Sequence, residues 1–572
     1  MCASRLYDPF PCHPCTDGDT SAGWSSLCER LPSRGYVLAI DGPQILDWYA
    51  VAAAVGGQLR QRGTEVEMLD VRNHMAPWEQ ILKRTAPAEM LADDPDFATI
   101  PRCPLSDFFD KVPDPPRAET RLALVIGPGA ALVPHDELWY ADLPKRHAEA
   151  AVTSGQGRNL GQPADDQSPT TRRLFYVDWP LLDRHRELIA DSIDCWIDTQ
   201  DAGHPRWLTG EVLRASLREL SGVPFRTRPT FNTTSWGGHW AQERLGFNPE
   251  ARNTALGYEL IAPESGILLG SAPDRAVEVP FQLLVSLHPA PVLGPGVHER
   301  FGTSFPIRFD YLDTFGGTSL SVHCHPQADY MRTVFGWPYT QHESYYIMFS
   351  EPGNLVYLGL RGDGDLDLFE ERAREAVSSA TAFDVEEFVQ TFPADPHQLF
   401  LIPAGTPHGS GAGNVVLEVS ATPYLYSLRF YDWLREDAEN VPRPVHVGHA
   451  FRNLDVHRRG AQVRQDLVQQ ARTTDSGPGW RLESIGQLPE MFFEVQRLVL
   501  AAHATARQDL EERFHVLNLV EGNGVTIRTH DAATGWREQP LAYAETVVIP
   551  AAVGHYEVTA EEGARLVRAV VR

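Results

Sequence analysis

The sequence predicts an α+β multidomain chain: an α/β layer followed by two small β-barrels, the first carrying a helical insertion. Three observations carry this. The segment YVLAIDGP (36–43), the helix-like ILDWYAVAAAVGGQLRQRG and the apolar EVEMLDV give a β-α-β rhythm. From about residue 225 the texture changes to short apolar runs separated by Gly, Pro and Asp, the pattern of sandwich or barrel strands. Finally, the chain repeats itself. HESYYIMFSEPGNLV (342–356) lies without gaps over EERFHVLNLVEGNGV (511–525), and LFLIPAGTPH (399–408) over TVVIPAAVGH (546–555).

Each copy reads as strand, Gly turn, strand, then an apolar run entering Ile-Pro-Ala and a His. That order suits a double-stranded β-helix, the cupin barrel, present twice. The expected organisation is an irregular tail over 1–34, an α/β domain over 35–225 and a metal-binding barrel domain over 226–455 with its helical insertion at 365–395. A connector over 456–480 and a second, metal-free barrel over 481–572 complete it. Within the α/β domain, RLALVIGPGA (121–130) and RRLFYVDWP (172–180) read as further strands, and SGQGRNLGQPADDQSPTT (154–171) as a mobile loop. In the insertion, DLFEERAREAVSSA and FDVEEFVQTF both read as helical.

With 572 residues, 42% hydrophobic and 22% charged, the chain has material for large cores and about four domains. Its 50 Lys+Arg against 76 Asp+Glu give a formal charge of −26. That disfavours nucleic acid and anionic membrane surfaces as partners, while a small anionic substrate needs only a few local cations. No secretory signal and no apolar run of membrane-spanning length is read, so the expected location is cytoplasmic. Seven cysteines make no disulfide framework in a chain this long. Cys12 and Cys15 form one CxxC, which favours a Pro-rich tail over a zinc knuckle, because a knuckle takes two such pairs.

The chemistry concentrates in SLSVHCHP (319–326). Alternate strand residues share a face, so His323 and His325 project together and Cys324 points away. Glu343 opens the next strand pair, and His408 follows a Pro-Ala-Gly turn. Antiparallel barrel strands can converge these four on one interior. Three imidazoles and a carboxylate suit one Zn, Fe, Mn, Ni or Co ion per chain and leave coordination positions open. The second copy keeps Glu512 and His555 but has only His503 upstream.

From about residue 230 onward the sequence resembles the type I mannose-6-phosphate isomerases, zinc-dependent cupin enzymes. The resemblance lies in SWGGHW (235–240), PVLGPGVHERFGTSFPIRFDYLDT (291–314), SLSVHCHP, QHESYYIM (341–348), LIPAGTPHGSGAGNVVLEVS (401–420) and LRFYDW (428–433). It implies zinc ligation by His325, Glu343 and His408, with His323 where the family has a glutamine ligand. It also implies Arg429 and Glu418 as catalytic residues, and Ser321 and Arg429 as contacts to a sugar phosphate; Arg332 is the other cation near in sequence. Gln341 stands where the family has a lysine. The implied reaction converts mannose 6-phosphate to fructose 6-phosphate through an enediolate, with Glu418 as base. A three-His, one-Glu shell also fits Fe(II)-dependent cupin dioxygenases, and loss of the lysine fits a non-catalytic sugar-phosphate-binding protein. The oligomeric state is not readable.

Residues 36–43 with the following helix resemble a nucleoside-kinase-like P-loop domain. A working P-loop needs GxxxxGK[ST]. Here Asp47, Trp48 and Tyr49 follow Gly42 without a Lys, and the two rings are expected to fill the phosphate cradle. The expectation is a degenerate domain without NTP hydrolysis, with GPGA (127–130) a structural turn.

Overall fold

The structure is a computed structural model that describes residues 6–116, 121–163, 165–166, 170–436, 440–531 and 535–572. Strand Tyr36–Asp41 is an inner strand of a seven-stranded sheet. Parallel neighbours Leu122–Ile126 and Val66–Asp70 lie on one side, Glu137–Asp142 and Cys195–Asp198 on the other, with antiparallel Arg206–Thr209 beyond. The inner strands are largely apolar on both faces because helices cover both sides. Helix Trp48–Gln61 is one cover. Asp47 caps it by accepting the Ala50 N–H, and Trp48, Val51, Ala52, Val55 and Leu59 form the stripe it buries on the sheet. Burying Val51, Val55 and Leu59 contributes about 1.5–3 kcal/mol each.

The end of strand Tyr36–Asp41 does not hold an open phosphate cradle, for a reason other than the expected one. The Trp48 ring is in the sheet core and Tyr49 is exposed. The Asp41 carboxylate instead accepts the N–H groups of Gly42 (2.7 Å), Gly129 (3.2 Å) and Ala131 (2.9 Å), and pairs with His185 at 2.9 Å. An internal anion therefore already satisfies the amides, and the GPGA turn serves it.

Four other expectations are corrected. RRLFYVDWP is helical: Thr171–Arg173, a π-turn Leu174–Asp178, then Trp179–Ile189. Its strand-like residues are buried between layers, so packing overrides their propensity. FDVEEFVQTF gives only a 3₁₀ turn Val385–Glu387 before strand Val389–Pro393, whereas the first half of the insertion is helix Leu366–Ser379. Residues 6–34 contain strand Cys12–His13, which pairs parallel with Gly266–Leu269, strand Ser21–Ala22 and helix Trp24–Cys28. The expected connector holds helix Ala461–Leu467 and strand Arg472–Gly477. Of the expected loop 154–171, residues 164 and 167–169 lie outside the described residues; Asn159 within it is buried and bonds to Asp178 at 2.9 Å.

Beyond residue 225 there are two double-sheet units. The first packs a six-stranded sheet (Leu399–Ile402, Glu343–Ser350, Asn414–Ala421, Ile307–Asp313, Leu256–Leu260, Thr230–Asn232) against a five-stranded one. The latter runs Val389–Pro393, Leu355–Leu360, His408–Ser410, Val322–Cys324, Leu428–Tyr431. The second unit pairs a six-stranded and a four-stranded sheet built from residues 472–571. The repeat is visible as structure: strand, Gly turn, strand over 343–360 and again over 515–531, with Gly353 and Gly522 both at positive φ.

Candidate metal centre

Antiparallel registry builds the site. In the five-stranded sheet His323 lies directly between His408 and Arg429. In the six-stranded sheet Glu418 lies between Tyr345 and Asp310, and Ser420 opposes Arg308. Residues directly opposite share a face, so one row of His, His and Arg confronts carboxylates from the other sheet. His325 comes just past its strand. Glu343 opens its own, opposite Ile402. The turn that delivers His408 requires Gly405: φ is 81°, and a Cβ would stand 2.6 Å from the Asn453 carbonyl.

His323, His325, Glu343 and His408 are all buried, and their ligand atoms lie within 4.8 Å of one another. Each imidazole is oriented from behind. His323 Nδ1 is 2.9 Å from the Ser321 carbonyl, His325 Nδ1 3.1 Å from that of Tyr426, and His408 Nδ1 2.9 Å from that of Thr406. Donation there leaves Nε2 of all three as the inward lone pair, the support a ligating histidine needs. Glu343 stands 3.0 Å from His325 Nε2 and 3.2 Å from His408 Nε2. Burial alone would raise the Glu343 carboxyl; His325 and His408 outweigh it and hold it well below the ordinary range. Burial and the other two rings push His323 well below its usual value, favouring the neutral imidazole that binds metal.

Arg308 is the residue that sequence reasoning missed. Its guanidinium bonds to Glu418, to Glu343 Oε1 (3.0 Å) and to Ser420 Oγ (2.6 Å), and lies 3.1 Å from Asp310. The signal was present in PIRFDYLDT, where charged and apolar residues alternate with period two. Glu418 therefore pairs with Arg308 and not with Arg429. Burial raises its carboxyl well above the ordinary range, Arg308 opposes, and Glu343 and Asp310 add to the rise. Burial likewise lifts Asp310 to about 7. Three carboxylates around one arginine carry an excess of two negative charges when ionised. A divalent cation held by the adjoining imidazoles balances them, so the residues present fit such an ion.

A cavity of about 120 Å³ opens over this centre. Ser321, His323, Gln341, Glu343, Glu418 and Arg429 are in its wall. Among the wall residues, Gln341 Oε1, Asp310 Oδ1, the Tyr345 hydroxyl and Trp236 Nε1 are buried without a partner in the protein. Buried polar groups without a protein partner are uncommon, and these gather at one wall. Arg429 donates to the Pro444 carbonyl at 2.9 Å, and among the described residues no carboxylate lies within ion-pair distance of it. Arg443, also in the wall, is a second cation that was not foreseen; it pairs with Asp432 at 2.9 Å. Arg332 is a correction. It sits on an exposed turn paired with Asp329 at 2.7 Å, both largely in solvent, and outside the cavity. Cys324 faces away into a separate apolar core, as its parity requires.

In the second unit Glu512 is exposed at φ 60°, and His503 is exposed near Glu561. Among the described residues no other group of three or more His, Cys, Asp or Glu side chains forms a comparable cluster. A larger cavity, about 380 Å³, lies between the α/β layer and the first unit and shares Tyr424 with the metal cavity.

Residues 23–222 match a family described as a domain of unknown function (DUF8485). The chain is also similar to YvyI of Bacillus subtilis (strain 168), a protein named for mannose-6-phosphate isomerase. The identity is 23% over 310 residues, 54% of this chain and 88% of that one. It is 21% identical over 344 residues to mannose-6-phosphate isomerase ManA of the same organism, covering 59% and 96%. A crystal structure of the mannose 6-phosphate isomerase from Bacillus subtilis overlays with a TM-score of 0.48 at 20% identity, covering 61% of this chain and 99% of that one. No described helix is long and apolar enough to cross a membrane.

Proposed function

We propose that the chain is a metal-dependent aldose–ketose isomerase acting on a sugar phosphate, with mannose 6-phosphate and fructose 6-phosphate as the pair. The supporting observation is the convergence of His323, His325, Glu343 and His408 beneath a small cavity walled by Glu418 and Arg429. Similarity to the two Bacillus subtilis proteins points the same way. We read the fold as two cupin barrels behind a kinase-like α/β domain without a functional P-loop. Zinc is the first candidate ion, with Fe, Mn, Ni and Co compatible with the donor set. Six free thiols among the described cysteines fit a reducing cytoplasm.

When bound, the divalent ion supplies Lewis-acid stabilisation of charge developing on the sugar oxygens. The protein does the rest. Glu418, fixed by Arg308 and with its proton affinity raised by burial, moves the proton between C1 and C2. Arg429 and Arg443 face the anionic end of the substrate, with Ser321 as a neutral donor beside them. Burial lowers the Arg429 guanidinium, aided by Arg443, to about 10, which leaves it charged at neutral pH.

The test is NMR of metal-loaded protein with each sugar phosphate in deuterated water. Interconversion with deuterium at C2 of the aldose is expected; binding without exchange contradicts the proposal. A second reading, an Fe(II) dioxygenase, is favoured specifically by His323 completing three imidazoles. It requires iron in the purified protein and oxygen consumption.

A further inference from the structure

We propose that the side-chain oxygen of Gln341 is a fifth protein ligand of the metal. This rests on the reading that the cluster holds a divalent ion and is independent of which reaction follows. Gln341 and Glu343 are two residues apart, as His323 and His325 are, and both members of each pair turn to the same interior. Gln341 is 1% exposed. Its terminal amide touches Glu343 Oε1 and lies 3.5 Å from His325 Nε2, so it borders two ligand atoms at once. Adjacent ligand atoms around an ion with bonds of about 2.1 Å sit about 3 Å apart, so an amide bordering two ligand atoms is within reach of a place in the same shell.

The other end of the amide, Oε1, is buried without a partner. The nitrogen and oxygen of an amide exchange places by a half-turn of the group. With nitrogen inward, Gln341 donates to Glu343, which is the arrangement without an ion between them. With oxygen inward, two acceptors would face each other, which is unfavourable unless a cation lies between them. The ion therefore drives the half-turn, and Gln341 reports its arrival. Three imidazole nitrogens and two oxygens would then hold the ion and leave room for one water or substrate oxygen in an octahedral shell. Six-coordinate shells are usual for Mn²⁺ and four-coordinate ones for zinc, so Mn²⁺ binding should depend on Gln341 more than Zn²⁺ binding does.

Two measurements decide. In crystals of the full chain loaded with Mn²⁺, located by anomalous scattering, Gln341 Oε1 is expected at about 2.0–2.4 Å from the ion. An amide nitrogen still turned to Glu343, with Oε1 beyond bonding distance, overturns the inference. In chelator competition, Gln341→Leu is expected to weaken Mn²⁺ binding by more than the about 10–100-fold typical of losing an outer-shell partner, and Zn²⁺ binding by clearly less. Gln341→Glu, which keeps an oxygen donor, is expected to retain Mn²⁺. Equal losses for both ions in Gln341→Leu mean a positioning role and contradict ligation. Uptake of neither ion by the wild-type chain overturns the metal reading and this inference with it. Uptake with Gln341 turned away overturns this inference alone. Thermal melting of each ion-free variant shows whether it has folded.

Discussion

The two double-sheet units run the same order of strands, yet their interiors differ. The first encloses three imidazoles and three carboxylates around Arg308. The second encloses a mainly apolar cluster, and its buried arginine, Arg568, is held by the amides of Gln496 (2.7 Å) and Gln508 (2.7 Å). Registry explains the contrast. Glu343 opens its strand opposite Ile402, whereas in the second unit the residue opposite the matching Ile549 is His515, bonded to the Tyr556 hydroxyl at 3.0 Å. Glu512, aligned with Glu343 in the sequence, falls before the strand and points into solvent. A repeated strand order thus preserves a frame without preserving a site; the site depends on which residue occupies each inward strand position.

This contrast can be broken at several points. The largest effect is expected at Glu418. Replacing Glu418 with Gln keeps an acceptor for Arg308 and removes the shuttling carboxylate, so kcat should fall about 10²–10⁴-fold with metal content unchanged. Steady-state kinetics and elemental analysis check this.

Next comes the framework. Arg308→Met leaves buried carboxylates unpaired and should destabilise the ion-free chain by about 3–5 kcal/mol. Arg568→Met strands only neutral amides, and about 1–3 kcal/mol is expected. Denaturant titration of both variants tests whether charge is what separates the two interiors.

The seam between the units should respond to pH. Glu259 contacts Tyr7 and accepts the Thr546 N–H at 2.8 Å, and burial lifts its carboxyl from 4.5 to about 7, with Arg226 opposing. A raised folded-state value means that the fold binds the extra proton, so this group's contribution to stability declines from about pH 4.5 to about pH 7 and is flat above. Glu259→Gln should flatten that part of the melting profile; an unchanged slope argues against a protonated seam. The smallest effect is expected for Arg332→Ala, which loses one solvent-exposed ion pair: about 0–1 kcal/mol and no change in kinetics.

Much of this was legible in the sequence because strand parity is simple. HxH at 323 and 325, Glu343 and His408 could be placed on one interior from period two and the repeat. Arg308 and Asp310 obey the same parity in PIRFDYLDT, but charged residues facing a core contradict the usual inward-apolar expectation. Arg332 shows the opposite error, since nearness in sequence to the metal strand does not bring a side chain round to its interior. RRLFYVDWP defeated pattern reading because residues apolar on every side suit a buried helix as well as a strand. The plug of Asp41 was invisible because its partners, Gly129, Ala131 and His185, are distant along the chain.

The most direct measurement is the divalent metal content of purified wild-type chain beside His408→Ala, Glu343→Ala and His515→Ala. One ion per chain is expected in the wild type and in His515→Ala, with loss of the ion in the other two. An ion retained when Glu343 or His408 is removed, or lost only with His515, would contradict a single metal centre in the first unit.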